Sequence, residues 1–244
     1  MITPGILEDF SSEWTCLPDR KIVAEVFDVF VFGRGSQEDL ELKGYDIIGN
    51  AVASLGETFQ LKFVGSPPGQ HKAVTCWFQN KSKLTTEQLT VRVYCTRNEV
   101  RAMLNEADVV ALPSRTEGFG LVAVEALSAG VPILVSNQSG IAKALEKVEG
   151  GNSVIVHGGT GEWVDKIKQL SKQTTEKRLI SAMRLRETYR MTYPWKTQIA
   201  GFEGIIRELV GVSSTNGTYI GVCLLLCFKC LLCPRCTNEM LINT

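Results

Sequence analysis

Apolar and polar positions alternate in blocks along most of the chain, and each block has the length and spacing of a strand or a helix. Short apolar-rich runs predict strands at 29–32, 60–64, 89–94, 108–112, 132–135 and 153–156. Apolar residues at helical spacing, with capping residues and glycines at the ends, predict helices at 44–55, 96–104, 120–129, 140–145, 160–172, 174–191 and 195–209. Strands that alternate with helices indicate a parallel sheet.

Two of the predicted strands define the type of sheet. The runs Val109–Leu112 and Ile133–Val135 are apolar at every position, which is typical of strands that are buried on both faces. The predicted fold is therefore α/β, with a single Rossmann-like parallel sheet and helices on both of its faces. Ligands of such sheets bind beyond the carboxyl ends of the strands. The loops that follow residues 32, 64, 94, 112 and 135 are the places where a site is expected.

The loop after residue 112 combines glycines, carboxylates and a helix start. Gly118 and Gly120 allow the backbone to approach a ligand closely, and the free amides of the following helix suit a phosphate. Glu117 lies in this loop and Glu125 in the helix, and carboxylates accept hydrogen bonds from sugar hydroxyls. The pattern favours a ligand with phosphate between two hydroxyl-bearing groups, as in a nucleotide sugar. The alternative is an ordinary strand–loop–helix turn with a solvated Glu117 and an ion-paired Glu125.

The same residues resemble a known signature. Glu117 to Leu121 followed by Glu125 forms a Glu-x7-Glu pattern, which resembles the donor site of retaining glycosyltransferase family four, whose members have the GT-B fold. The resemblance covers roughly residues 28–209 and implies the C-terminal, nucleotide-sugar-binding half of such an enzyme. It implies that Glu117 is the catalytic candidate that binds donor-sugar hydroxyls, and that Glu125 binds the ribose. It also implies sugar and phosphate contacts from the backbone of Gly118, Phe119, Gly120 and Leu121.

A second loop carries two cations. Gly33-Arg34 and Lys43-Gly44 resemble the family's Gly-Arg and Lys-Gly pairs, which implies that Arg34 and Lys43 neutralise the diphosphate leaving group. We therefore expect neither a metal nor another cofactor. Arg34 and Lys43 are farther apart here than the family usually has them, so Lys43 reaches the phosphate only if the intervening residues bulge outward. The alternative is a solvated basic pair.

Length and charge limit the domain organisation and the partners. The chain has 244 residues and no net charge, so it has room for one sizeable α/β domain and no global field that would attract nucleic acid. We expect an irregular segment at 1–27, the donor-binding domain at 28–210, and a linker with a Cys-rich apolar tail at 211–244 that is disordered. Residues 1–27 are too few for an acceptor domain, so another chain or domain would supply the acceptor half, and the acceptor is unknown. The alternative function is a non-catalytic nucleotide-sugar sensor.

The two ends of the chain bear on its location. The N-terminus has no basic stretch followed by an apolar core, so a cytoplasmic location is expected. The apolar run at Tyr219–Phe228 is shorter than the about 20 residues that cross a bilayer. Membrane contact through acylated cysteines and metal binding by the tail remain alternatives to disorder.

Overall fold

One parallel sheet forms the centre of the molecule. The structure is a computed structural model that describes residues 2–10 and 26–210. Its strands are β1 (Phe27–Phe32), β2 (Phe59–Ser66), β3 (Leu89–Val93), β4 (Val109–Leu112), β5 (Ile133–Ser136) and β6 (Ile155–Val156). They lie in the order β3-β2-β1-β4-β5-β6, and all neighbouring pairs are parallel.

The helices follow the strands along the chain. They are α1 (Asp39–Leu42), α2 (Tyr45–Leu55), α3 (His71–Lys81), α4 (Arg97–Leu104), α5 (Leu121–Ser128), α6 (Gly140–Leu145), α7 (Thr160–Ser171), α8 (Thr175–Thr192) and α9 (Trp195–Val210). The sheet and the helices up to Pro194 form one compact unit, whereas α9 belongs to a second unit. No helix in the described ranges is long and apolar enough to cross a membrane.

The sheet is covered on both faces, as its apolar strands predict. Val110 and Leu112 of β4 pack in a core with α5, α6 and α8. Val109 and Ala111 point to the other side and pack in a second core with α2, α3 and α7. Every residue of β4 and β5 is buried, because side chains on both faces of these strands meet a helix layer. The predicted fold class is confirmed.

The strand order creates a crevice between β1 and β4. The chain continues from β1 to β2 and β3 on one side, and β4 then pairs with the other side of β1. Loops from such neighbouring strands leave in opposite directions, so a crevice opens at their carboxyl ends. The loop that carries Arg34 and the loop that carries Glu117 both begin at this crevice.

The first residues of the chain pack on the helix layer beside α5 and α8. Ile6 and Phe10 are at most 2% exposed. The Tyr189 hydroxyl of α8 donates a hydrogen bond to the Pro4 carbonyl at 2.8 Å, and the Leu7 amide donates to the Ser128 hydroxyl of α5 at 2.8 Å. Residues 3–10 thus belong to the same compact unit as the sheet. The predicted tail at 211–244 lies outside the described residues.

Candidate functional site

A cleft of about 520 Å³ lies at the carboxyl ends of β1 and β4. Seven of the nine predicted site residues line it: Gly33, Arg34, Lys43, Glu117, Phe119, Gly120 and Leu121. Gly118 lies between two lining residues, and Glu125 lies outside the cleft. A larger cavity of about 670 Å³ opens beside α7 and α8, near the start of β5, and none of the predicted residues lines it. The smaller cleft is therefore the candidate site.

The two glycines of the loop after β4 have different roles. Gly120 has a left-handed φ of 99°, and a Cβ there would lie 2.7 Å from a methyl carbon of Leu112, so the fold itself requires glycine. A Cβ on Gly118 would meet nothing within 4 Å, and its φ is not positive. The fold therefore does not require glycine at 118. The open space beside it leaves the backbone accessible to a ligand.

Neighbouring backbone holds this loop in place. The Gly140 amide donates a hydrogen bond to the Gly118 carbonyl at 3.1 Å, and the Ile141 amide donates to the Phe119 carbonyl at 2.7 Å. Both donors lie in the first turn of α6, where amides have no partner within their own helix. The start of α6 thus fixes the carbonyl side of the loop.

Lys43 and Glu117 form an ion pair in the cleft. The Lys43 ammonium donates to Glu117 Oε2 at 2.8 Å, and both side chains are partly buried. Glu117 Oε1 accepts from the Gly118 amide at 3.1 Å, and the Ser114 hydroxyl donates more weakly to Oε2 at 3.4 Å. The predicted phosphate-binding cation and the predicted sugar-binding carboxylate are therefore partners. An anion bound at Lys43 would compete with Glu117 for the ammonium group.

Helix α1 explains how the widely spaced cations reach one cleft. Between Arg34 and Lys43 the chain makes a turn, in which the Ser36 hydroxyl donates to the Asp39 carboxylate at 2.6 Å. Helix α1 follows, and the Lys43 amide donates to the Asp39 carbonyl at 2.8 Å. Gln37, within the turn, is exposed. Leu40 of α1 is buried, so the turn is exposed while α1 packs against the core. The Arg34 side chain is exposed and has no hydrogen bond or ion pair with any residue in the described ranges.

A second ion pair joins the two loops, and sequence reasoning did not find it. The Arg115 guanidinium donates to both carboxylate oxygens of Asp46 at 2.7 Å and to the Glu41 carbonyl. Burial opposes ionisation of Asp46, but the hydrogen bonds and charge of Arg115 outweigh it and hold the pKa of this carboxyl below its usual value. Because 69 residues separate the partners, no local spacing signals the contact.

Gly44 allows the same two loops to approach closely. Its φ is 68°, and a Cβ at this position would lie 2.1 Å from the Pro113 carbonyl oxygen. A side chain would both strain the backbone and separate the loops. Gly44, the glycine after Lys43, is therefore required for the close packing of this loop against Pro113.

Glu125 occupies a different environment from Glu117. It lies within α5, and burial raises its pKa from 4.5 to about 6, with the positive charge of Arg97 opposing the rise. Arg97 is the first residue of α4; its guanidinium lies over the Phe10 ring at 4.8 Å and 3.7 Å from the Asp9 carboxylate. Glu125 thus faces α4 and the start of the chain, beside the loop that follows β3.

The start of α4 is fixed by a capping box. The Thr96 hydroxyl accepts from the Glu99 amide, and the Glu99 carboxylate accepts from the Thr96 amide at 2.7 Å. Val93 and Tyr94, just before it, are about half exposed at the edge of the sheet. Within the described ranges, no group of three His, Cys, Asp or Glu side chains is arranged to hold a metal ion.

The chain is similar to known proteins both in sequence and in fold. The chain is 26% identical over 180 residues to a D-inositol 3-phosphate glycosyltransferase of Corynebacterium aurimucosum. This match covers 70% of this chain and 42% of that protein. Its fold is similar to sucrose-phosphate synthase from Thermosynechococcus elongatus, with a TM-score of 0.63, 19% identity, and coverage of 86% of this chain and 50% of that one.

An Anabaena protein solved in complex with UDP and glucose also has a similar fold, with a TM-score of 0.57, 20% identity, and coverage of 75% of this chain and 48% of that one. The chain thus spans less than half the length of the curated relative. The model of one family, described as family 4 glycosyltransferases in conflict systems, matches residues 1–202. The chain belongs to this glycosyltransferase family.

Proposed function

We propose that this chain binds a nucleoside-diphosphate sugar in the cleft between β1 and β4 and forms the donor half of a retaining glycosyltransferase. The observation that carries the proposal is the contact between Lys43 and Glu117, which are 74 residues apart in the chain. It places a cation suited to phosphate beside a carboxylate suited to sugar hydroxyls. Arg34 lines the same cleft, and the open backbone at Gly118 borders it.

The proposed chemistry follows from the charges. In the transfer, the bond between the anomeric carbon and the phosphate oxygen breaks, and the acceptor oxygen bonds to that carbon on the same face. The acceptor proton leaves to the diphosphate. Negative charge grows on the departing diphosphate, and the fixed cations Arg34 and Lys43 would stabilise it. In this proposal neither a metal nor another cofactor has to supply that charge.

In this proposal the two carboxylates contact different parts of the donor. Glu117 would accept hydrogen bonds from the sugar once Lys43 turns toward the phosphate. Glu125, on the other side of α5, would accept hydrogen bonds from the ribose. The solved Anabaena relative holds UDP, so uridine nucleotides are the first ligands to test.

Transfer needs an acceptor site near the donor. Holding both reactants in position contributes on the order of 7–11 kcal/mol to catalysis. The chain covers 42% of its curated relative, so we propose that another domain or chain supplies the acceptor side. The same observation favours a second candidate, a nucleotide-sugar-binding module without catalysis. Sugar transfer by this chain with any acceptor would exclude that candidate.

Titration calorimetry with UDP, GDP, ADP and their glucose conjugates tests the binding claim. We expect at least one diphosphate sugar to bind below millimolar concentration, equally well with and without EDTA. Absence of binding across the panel would refute the proposal, and loss of binding in EDTA would refute its metal-independent form.

A glycine pair tests the location of the site. Gly118→Ala adds a methyl group into open space, so the protein should fold normally but bind nucleotide at least ten-fold more weakly. Gly161→Ala in α7 is the matched control, because its Cβ also meets nothing within 4 Å and it lies away from the cleft. Equal affinities of the two variants would place the ligand elsewhere.

Substitution of the two carboxylates tests their roles. Glu117→Ala should weaken binding of UDP-glucose more than binding of UDP, because only the conjugate has sugar hydroxyls for this carboxylate. Glu125→Ala should weaken both ligands by a similar factor, because both contain ribose. The opposite pattern would show that the roles are exchanged.

A further inference from the structure

Tyr45 brings a hydroxyl to the wall of the cleft. The residue begins α2 and is 2% exposed. Its ring lies 5.0 Å from the Phe63 ring and 6.2 Å from the Phe78 ring, centroid to centroid, within the core between the sheet and α3. Because the ring is held on this side by packing, its position in the cleft wall is fixed.

The hydroxyl of this side chain has no hydrogen-bond partner anywhere in the described part of the chain. The hydroxyl is not among the fully buried orphan atoms of the described residues, so it keeps access to the cleft that Tyr45 lines. The backbone beside the hydroxyl keeps room for it: a Cβ on Gly33 would lie 2.3 Å from the Tyr45 oxygen. The glycine of the Gly33-Arg34 pair therefore lets the hydroxyl reach the phosphate-binding loop.

The charges around Tyr45 keep its hydroxyl a donor. Burial raises the pKa of Tyr45 well above its usual value, and the nearby carboxylates of Asp39 and Glu117 raise it further. The group thus stays protonated at neutral pH. Neither carboxylate hydrogen-bonds to it, so the proton is available to a bound anion.

We infer that the Tyr45 hydroxyl donates a hydrogen bond to the sugar-linked phosphate of a bound nucleoside-diphosphate sugar. This inference rests on the proposed function. The sugar-linked phosphate is the one indicated because Tyr45 faces Glu117, the carboxylate assigned to the sugar. Glu125, assigned to the ribose, lies outside the cleft. Tyr45 would then be a third phosphate-binding side chain beside Arg34 and Lys43.

Tyr45→Phe removes only the oxygen atom and keeps the ring in its cluster. Hydrogen bonds to charged groups are strong, so calorimetry should show about ten-fold or more weaker binding of UDP to the variant. Binding of UMP, which lacks the second phosphate, should change less than about two-fold. The matched control is Tyr189→Phe: Tyr189 is equally buried, but its hydroxyl donates to Pro4 away from the cleft, so its UDP affinity should equal that of wild type.

The outcomes separate this inference from the proposed function. Wild-type protein that binds no nucleotide would refute the proposed function. Wild-type protein that binds UDP with the same affinity as Tyr45→Phe would refute the inference alone. An equal loss for UDP and UMP would also refute it, since the contact would not be to the second phosphate. A lower thermal midpoint of Tyr45→Phe would reveal a structural partner for the hydroxyl and refute it too.

Discussion

Glu125→Gln should stabilise the fold and weaken nucleotide binding at the same time. Burial within α5 raises the pKa of Glu125 from 4.5 to about 6, and the charge of Arg97 only partly opposes this effect. The fold therefore disfavours the ionised carboxylate. Glutamine has nearly the same shape but no charge, so it relieves this penalty. It also offers a weaker acceptor to ribose hydroxyls.

The magnitude and its pH dependence follow from the pKa. A rise from 4.5 to about 6 corresponds to about 2 kcal/mol of destabilisation when the carboxylate is ionised. The folded pKa lies above the unfolded one, so the folded protein holds the proton more tightly. The penalty is absent below pH 4.5, grows between pH 4.5 and 6, and is complete above pH 6. The variant should thus gain up to about 2 kcal/mol at pH 7.5 and nothing near pH 4.

Urea unfolding at both pH values measures the stability, and calorimetry measures the affinity. We expect a higher urea midpoint for Glu125→Gln at pH 7.5, with an unchanged slope, and equal midpoints near pH 4. UDP-glucose, whose phosphates do not titrate near pH 6, is the ligand to use: its affinity for the wild type should fall as the pH decreases through 6, whereas its affinity for the variant should stay low and flat. A variant that is less stable at pH 7.5, or equally shifted at both pH values, would refute the reasoning.

Two further substitutions test the contacts that join the loops. Gly44→Ala should destabilise the fold by about 2–4 kcal/mol, since a left-handed φ and the approach of Pro113 both exclude a side chain. Gly69 has a similar φ of 76° but open space around it, so urea unfolding of Gly69→Ala should show a loss of only about 1 kcal/mol. Equal losses in the two variants would exclude the approach of Pro113 to Gly44 as the cause. Arg115→Met should cost about 1 kcal/mol at pH 7, because the partly exposed pair with Asp46 is screened. The lowered Asp46 pKa means that this loss should shrink below pH 3.8, and a loss independent of pH would contradict the role of the ion pair.

Elements with a strong local pattern were predictable from the sequence. Strands β4 and β5 and helix α5 lie within two residues of their predicted bounds, because apolar runs and glycine or proline mark their ends. Helix α3 was not predicted. Its buried side chains are Val74 and Phe78, one helical turn apart, so the apolar stripe is too narrow to stand out in a polar segment. The packing of residues 3–10 was not predicted either, since its partners lie on α5 and α8, more than a hundred residues away.

The site likewise contains residues that local sequence patterns indicate and contacts that they do not. The residues of the Glu-x7-Glu and Gly-Arg patterns could be proposed from the sequence because each pattern lies within one short segment of the chain. The pairing of Lys43 with Glu117 and of Arg115 with Asp46 was not found, because it depends on how two distant loops meet at the crevice. Tyr45 gave no signal at all. In the sequence it is one more apolar position of α2, and only the Gly33 backbone beside its oxygen distinguishes it.

The ion pair in the cleft has a consequence for the order of binding. In the free protein Lys43 occupies the Glu117 oxygen that the sugar would use. A sugar without phosphate would have to displace an ammonium from a carboxylate, and a hydroxyl is the weaker partner. A diphosphate attracts Lys43 and releases Glu117, so phosphate binding should prepare the sugar site. Under the proposed function, glucose alone should not bind measurably, and its recognition should depend on the diphosphate to which it is joined.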